Sequence, residues 1–266
     1  MAATECGQIN LEVDGCIGRI VIDNPRQRNA MTRDMCISLA EAVQRADADP
    51  RVKVITLRGR GKDFSAGAAI NELHQVLFDN GPDGQMIDRL SEADAALQSA
   101  SKPTVALVEG ICMGGGWQIA SACDMSIAAE TVKLAVTPSK LGIIYPRSGI
   151  ERLVQRLGAD KAKYVLFSAD LIPAKKAADW GLLTETMPEA EFEESSQSLV
   201  LRIAERSQYS VHTMKALIDS MVAVDGRGSE ALWDAEWAQL PDSEDFRVGQ
   251  AAFLAGGQPN FTWSAL

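Results

Sequence analysis

The stretch Gly110-Ile111-Cys112-Met113-Gly114-Gly115-Gly116-Trp117-Gln118 follows the run Thr104–Val108 (TVALV) and leads into Ile119-Ala120-Ser121-Ala122. A short run dense in β-branched and apolar residues reads as a buried strand. Where a strand passes through small residues into a helix, free backbone N–H groups point outward. Such groups bind an anion or stabilise a developing oxyanion. The missing side chains also let a ligand approach the backbone. A second stretch is built the same way: Phe64-Ser65-Ala66-Gly67-Ala68-Ala69-Ile70 follows Val52–Leu57 (VKVITL) and Gly59-Arg60-Gly61. A glycine run by itself is equally compatible with tight packing of strand on helix. Neither stretch is a P-loop, since no Gly-Lys-Ser/Thr follows, and neither is G-x-G-x-x-G.

Outward from these stretches, strand and helix signals alternate. Residues 18–23 place Ile20 and Ile22 on one face and Arg19 and Val21 on the other, a strand by period two, ended by Asn24-Pro25. Thr32 caps a helix whose apolar positions Met35, Leu39, Val43 and Ala46 recur at helical spacing, and Asp49-Pro50 breaks it. Residues 125–129 (MSIAA) read as a further strand. The alternation predicts an α/β layered core. Residues 71–97 differ: Asn80-Gly81-Pro82-Asp83-Gly84 is a loop by its turn chemistry, between Leu73, Val76 and Leu77 on one side and Ile87, Leu90 and Leu97 on the other. This reads as a mobile segment joined to a helix, a common setting for a pocket lid. From Gly149 the chain becomes helical. Ile150, Leu153, Val154 and Leu157 follow helical spacing up to Gly158, and a short helix over 174–180 ends at Gly181. Helices are expected over 189–206, 210–224, 229–240 and 243–256. The chain thus divides into an α/β core, 1–195, and a helical C-terminal region, 196–266.

With 266 residues, 46% hydrophobic and 23% charged, the composition is that of a globular protein, not of a disordered chain, a collagen or a coiled coil. The formal charge of −10 argues against nucleic-acid binding, which needs a basic face. It leaves room for a local basic pocket. No apolar run approaches the roughly 18 residues of a membrane span. Residues 1–18 lack a basic start followed by an apolar stretch, so the expectation is a cytoplasmic protein without a signal peptide. The five cysteines form no C-x-x-C pair, and with His74 and His212 the only histidines no metal site is expected. The cysteines read as free, mostly buried thiols.

Taken in order, these stretches resemble the crotonase (enoyl-CoA hydratase/isomerase) superfamily over nearly the whole chain. The matching residues are Asn24-Pro25, Arg28-Asn29-Ala30-Met31, Phe64-Ser65-Ala66-Gly67-Ala68, Lys102-Pro103, Gly110 with Gly114-Gly115-Gly116, and Cys123-Asp124. Leu141-Gly142, Arg152-Leu153, Ala177 with Gly181-Leu182, Ala252-Phe253 and Pro259-Asn260-Phe261 complete the series. The resemblance implies a spiral of ββα repeats with a helical C-terminal region, and a homotrimer or a hexamer made of two trimers. It implies a coenzyme A thioester as substrate and no separate cofactor. It places the two carbonyl-polarising N–H groups on Ala68 and Gly115, because an enolate forms beside the thioester carbonyl and two preorganised donors stabilise its oxygen. Backbone near Arg28, Ala30, Ala66 and Ile70 would hold the adenine and pantetheine side, with Gly114 beside the hole. Arg26 and Arg28 are candidate phosphate contacts, and Trp117 is a candidate wall of the acyl pocket.

Two positions depart from the family's hydratases. The glutamate two residues after the triple glycine is Gln118 here, and the second, four residues before the glycine of Leu141-Gly142, is Pro138. An amide exchanges no proton at neutral pH and proline has no functional group. The segment Thr137 to Gly142 followed by Tyr145 is similar to the methylmalonyl-CoA decarboxylase branch, where Tyr145 would sit beside the substrate carboxylate. That branch carries a histidine at the position of Ala68. A non-catalytic CoA-binding homologue is the third reading. Glu72, Glu109 and His74 are further candidates for reaching the pocket. Lys140 reads as solvated and His212 as structural, and Trp233, Trp237, Phe253 and Phe261 read as packing between subunits or over the core.

Overall fold

The computed structural model describes residues 7–81, 83–222 and 229–263, without the side chains of Ser229 and Pro241. Pro82 of the expected loop, Cys6, and the end of the helix expected over 210–224 lie outside the described residues.

The chain begins with an antiparallel hairpin, β1 (Gln8–Asp14) and β2 (Ile17–Asp23), turned at Asp14-Gly15. Helix α1 (Arg33–Ala48) follows, its first turn capped by the Thr32 hydroxyl, which accepts from the Met35 N–H at 3.3 Å. Its stripe Met35, Leu39, Val43 and Ala46 is buried, as its spacing predicts. Strand β3 (Val54–Gly59) starts two residues later than the sequence suggests. Then come α2 (Leu73–Leu77), the two-residue strands β4 (Asp79–Asn80) and β5 (Met86–Ile87), and α3 (Arg89–Ser99). Strands β6 (Thr104–Val108) and β7 (Ile111–Met113) lead into α4 (Gly115–Ala122), followed by β8 (Met125–Ala129) and β9 (Lys133–Ala135). Helices α5 (Arg147–Leu157) and α6 (Ala159–Ser168), strand β10 (Ile172–Pro173), α7 (Ala174–Trp180) and β11 (Glu185–Met187) complete the core. The C-terminal helices are α8 (Phe192–Ala204), α9 (Gln208–Val222), α10 (Ser229–Gln239) and α11 (Glu244–Leu254).

Six strands form one sheet in the order β1-β2-β3-β6-β8-β11, parallel from β2 onward. A second sheet, β10-β9-β7, stands beside it. The chain is thus mixed α/β, with helices between successive strands of the parallel sheet. Strand β6 shows why its sequence is nearly all apolar: Ala106 and Val108 enter a core shared with α1, α3 and α4, while Val105 and Leu107 enter a second core on the opposite face. Helix α8, which straddles residue 195, covers that second face with Phe192, Val200 and Ala204. Cys36, Cys112 and Cys123 are buried free thiols and Cys16 is half-buried. Burial pushes the Cys123 thiol up to about 12. Among the described residues no helix is long and apolar enough to cross a membrane, and no cluster of His, Cys, Asp and Glu could hold a metal ion.

Candidate active site

The two glycine-bearing stretches lie side by side. Ser65 pairs with Cys112 in an isolated parallel bridge: the Ser65 N–H donates to the Ile111 carbonyl at 2.9 Å and the Met113 N–H to the Ser65 carbonyl at 3.0 Å. On the other side, residues 28–31 run along 65–69. The Ala66 N–H donates to the Arg28 carbonyl at 2.9 Å, Met31 N–H to Gly67 O at 2.7 Å, and Ala69 N–H to Met31 O at 2.8 Å. This register pairs Met31 with Ala68 and leaves the Ala68 N–H facing away from the pairing.

Asn29 explains the Arg28-Asn29-Ala30-Met31 signature. Its φ of +57° lies in the left-handed region, which asparagine tolerates better than most residues. Its side chain accepts from the Asn24 N–H at 2.9 Å and donates to the carbonyls of Asp63 at 2.6 Å and Arg60 at 3.0 Å. One buried amide therefore fastens the loop 24–31 to the segment 60–63 that leads into the first stretch. Gly67, at φ +95°, makes the turn that presents Ala68, and a Cβ there would stand 2.8 Å from the Met113 carbonyl and 3.0 Å from the Gly115 nitrogen.

Gly115 is the first residue of α4, where a helix has no internal acceptor for its N–H. A Cβ on Gly115 would lie 3.2 Å from the Ala68 nitrogen. Among the described residues neither the Ala68 nor the Gly115 N–H donates a hydrogen bond. Both residues line one cavity of about 90 Å³, with Ala66, Gly67, Ile70 and Gly114. Leu73, Leu77 and Leu90 form an apolar wall, and Gln118, Thr137, Pro138, Leu141, Ile143, Tyr145 and Pro146 close it. Among the described residues no Asp, Glu, His, Lys or Arg lines this cavity, and Tyr145 is the one titratable group there. Its hydroxyl donates to the Gly114 carbonyl at 3.2 Å, and burial, then the Asp94 charge, hold its phenol protonated far beyond the usual range.

Of the residues singled out in the sequence, Ala66, Ala68, Ile70, Gly114, Gly115, Gln118, Pro138 and Tyr145 meet here. Trp117 does not: it is fully buried in the core, and its indole N–H donates to the Leu182 carbonyl at 3.3 Å. Ala30 is buried and does not line the cavity, and Arg28 lines a neighbouring groove with Lys62, Lys133 and Thr131. Glu109 faces that groove too, paired with Arg58 at 2.9 Å. Glu72 accepts from the Arg33 N–H at 3.3 Å, and exposed His74 stacks edge-on against Phe78, so neither lines the cavity. The segment expected as a lid comprises α2, the antiparallel pair β4 and β5, and α3. Asp79 fastens it, taking Arg33 at 2.8 Å and Arg89 at 2.6 Å.

Sequence reading passed over the polar groups behind Gln118. Asp94 of α3 is fully buried and accepts from Arg152 at 2.5 Å, Ser148 Oγ at 2.7 Å and Gln118 Nε2 at 3.2 Å. Arg152 also donates to the Gln118 carbonyl at 3.2 Å and to Ser121 Oγ at 2.9 Å. The signal was present: Leu90, Ala93 and Leu97 mark the buried stripe of α3, and Asp94 sits on it, an acid where an apolar residue belongs.

The family model for enoyl-CoA hydratase/isomerase matches residues 12–264. A probable enoyl-CoA hydratase of Bacillus subtilis (strain 168) is 32% identical over 254 residues, covering 95% of this chain and 98% of that protein. The crotonyl-CoA hydratase of Syntrophomonas wolfei is 29% identical over 258 residues, covering 95% and 97%. Among solved structures, an enoyl-CoA hydratase/isomerase family member superposes with a TM-score of 0.95 at 45% identity, each chain fully covered. A putative enoyl-CoA hydratase/isomerase family protein from Hyphomonas neptunium gives 0.84 at 31% identity, covering 96% and 97%. With the family model matched over residues 12–264 and relatives and solved structures alike along nearly its whole length, this chain belongs to the enoyl-CoA hydratase/isomerase, or crotonase, family.

Proposed function

We propose that the cavity takes the acyl end of a coenzyme A thioester, with the thioester oxygen between the N–H groups of Ala68 and Gly115. The carrying observation is that pair of undonated N–H groups side by side on an apolar cavity. There they face little competition from water and are worth most to a developing enolate oxygen. Water occupies roughly 30 Å³ per molecule in the liquid, so 90 Å³ suits a short acyl group of a few carbons. The rest of the coenzyme lies outside, along Ala66 and Ile70, with Arg28, Lys62 and Lys133 of the adjoining groove available to its phosphates. No metal or redox cofactor enters this reading, and the helical region 196–266 serves subunit contact in a homotrimer or a pair of trimers.

The reaction class follows from what lines the cavity. Hydration needs a positioned acid and base. With Gln118 and Pro138 at those two positions and Tyr145 held protonated, no lining group among the described residues accepts a proton near neutral pH. This supports an enolate-forming step that needs no protein base, and decarboxylation is one, because loss of carbon dioxide itself generates the enolate. Tyr145 or water then delivers the proton. The test of the oxyanion reading compares butyryl-CoA with S-butyl-CoA, which lacks the carbonyl. Tighter binding of butyryl-CoA is expected, and equal affinity would remove the role of the two N–H groups. Carbon dioxide release from methylmalonyl-CoA tests the decarboxylase reading, and thioester affinity with no turnover of any thioester would leave a CoA-binding homologue.

A further inference from the structure

Helix α4 is eight residues long and begins at Gly115, whose N–H is assigned above to the thioester oxygen. Its last carbonyls carry the other end of the helix dipole, equivalent to about half a negative charge. At about 1.5 Å per residue the two ends stand only about 12 Å apart. Left alone, the negative end cancels part of the attraction that the positive end offers a developing oxyanion.

That end is met by α5. Arg152 and Arg156 are four residues apart, so they share one face of α5, and both reach the last turn of α4. Arg152 donates to the Gln118 carbonyl at 3.2 Å and to Ser121 Oγ at 2.9 Å, and Arg156 donates to the Ser121 carbonyl at 2.9 Å. The two cations are not equivalent. Arg152 is ion-paired with buried Asp94 at 2.5 Å, so its charge is cancelled close by. Arg156 joins no ion pair among the described residues, and Asp124, the acid that acts on it, is taken by Lys215 at 2.5 Å. Burial, and after it the like charge of Arg152, push the Arg156 guanidinium down to about 10, so it remains charged at neutral pH. A half-buried cation without a counter-ion costs stability, yet this one stands on the tail of the helix whose head faces the cavity.

Resting on the reading that a thioester oxygen binds at Gly115, we propose that Arg156 is a positioning residue for the oxyanion. It touches no substrate and acts through α4: its charge offsets the negative end of the helix and leaves the Gly115 end unopposed. Ser121 follows Gly115 by six residues, about 9 Å along the axis, which sets the guanidinium roughly 12–15 Å from the oxygen. At an effective dielectric of about 20, one unit charge at that range changes a rate by roughly six- to tenfold. Arg152 has the separate task of holding Asp94.

The test reads the field at the oxygen. Butyryl-CoA carrying carbon-13 at its thioester carbonyl is bound to the whole protein, and isotope-edited infrared spectroscopy records how far binding lowers the carbonyl stretch. A lowering is expected in the unaltered protein. Arg156→Gln keeps a hydrogen-bond donor but no charge, and Arg156→Met keeps neither. In both the lowering should shrink, and kcat on any thioester the protein turns over should fall roughly six- to tenfold with KM little changed. Arg156→Lys should retain most of both. A merely structural cap would move the melting temperature and leave the stretch where it was, so an undiminished lowering in the two neutral variants overturns the proposal. If neither neutral variant folds, the lysine variant decides: it keeps the charge and loses the planar guanidinium, so a retained lowering supports the proposal and a lost one overturns it. No lowering in the unaltered protein would instead remove the reading that the two N–H groups share the thioester oxygen.

Discussion

A methyl carbon on Gly115 would stand 3.2 Å from the backbone nitrogen of Ala68. It would also meet Leu90 Cδ2 at 2.6 Å, a contact that a side chain can relieve by shifting. Gly115→Ala is therefore expected to fold while crowding the Ala68 donor. Loss of one oxyanion donor typically costs 10²–10³ in rate, so turnover of any thioester substrate should fall by roughly that factor. Thermal unfolding should barely move. Unchanged turnover would show that these two groups do not share an oxygen.

The buried pair behind the cavity makes a stability prediction. Arg152→Ala leaves the Asp94 carboxylate buried without its cation and removes the donors to the Gln118 carbonyl and Ser121. Breaking such a pair costs about 3–5 kcal/mol. Urea unfolding at fixed protein concentration should show a loss of that size. A loss below about 1 kcal/mol would mean that water enters and solvates Asp94.

What the sequence made legible was what local chemistry decides. The strands 104–108 and 125–129 and the helix 174–180 occur with the predicted bounds, because their composition and flanking breakers fix them. Strand β1 was passed over although it was legible: Ile9, Leu11 and Val13 alternate strictly with Gln8, Asn10, Glu12 and Asp14, and Asp14-Gly15 is a turn signal. The limit came at the cavity. Ala68 and Gly115 were readable from small-residue stretches, whereas Asp94, Ser148 and Arg152 come from elements far apart in the chain, and only folding brings them to Gln118. Trp117 was misplaced for a related reason. It neighbours the glycines in sequence, but on α4 it faces the opposite way, into the core.

The Asp79 clamp sets a pH dependence for the segment over the cavity. The Arg33 guanidinium, and after it Arg89, hold the Asp79 carboxyl at about 2, against 3.8 for a free aspartate. A depressed carboxyl contributes stability that is present above its unfolded value and is lost as pH falls through the folded one. The clamp should therefore hold throughout the neutral range and release only between about pH 4 and 2. Amide exchange over residues 73–87, corrected for intrinsic rates, should show added opening in that window alone. Asp79→Asn should show it at pH 7. Equal protection in both proteins at pH 7 would mean that the apolar contacts, not the ion pairs, hold the segment.

The C-terminal helices leave large apolar side chains in solvent. Trp233 and Trp237 of α10 stack 5.0 Å apart with Trp237 59% exposed, and Phe253 of α11 is 85% exposed. Phe261, in contrast, packs within the chain near Gly249. An exposed apolar surface of this kind marks an interaction face. Light scattering is expected to give three or six copies, and Trp237→Asp with Phe253→Asp should lower that number. A monomer at every concentration would refute assembly through these helices.

The last prediction concerns hydration itself. With Gln118 and Pro138 lining the cavity and no carboxylate there, crotonyl-CoA hydration should be slow or absent, since one positioned acid or base is typically worth 10²–10⁴ in rate. Gln118→Glu would set a second carboxyl 3.2 Å from Asp94 Oδ2 in a fully buried place. Burial and a like charge both raise a carboxyl's pKa, which moves the new glutamate toward the neutral range where a general acid works best. Arg152, already paired with Asp94, offsets part of that rise. The single variant should therefore gain some hydration, with activity falling as pH rises through the raised pKa if the protonated form is the active one. Adding Pro138→Glu should supply the second group and raise the rate further. The absorbance of crotonyl-CoA reports all three proteins in one assay. An unaltered chain with a kcat of about 10 s⁻¹ or more, the rate of an ordinary enzyme, would sink the argument. It would require a proton acceptor that this cavity does not contain, and Tyr145 would be the residue to test next.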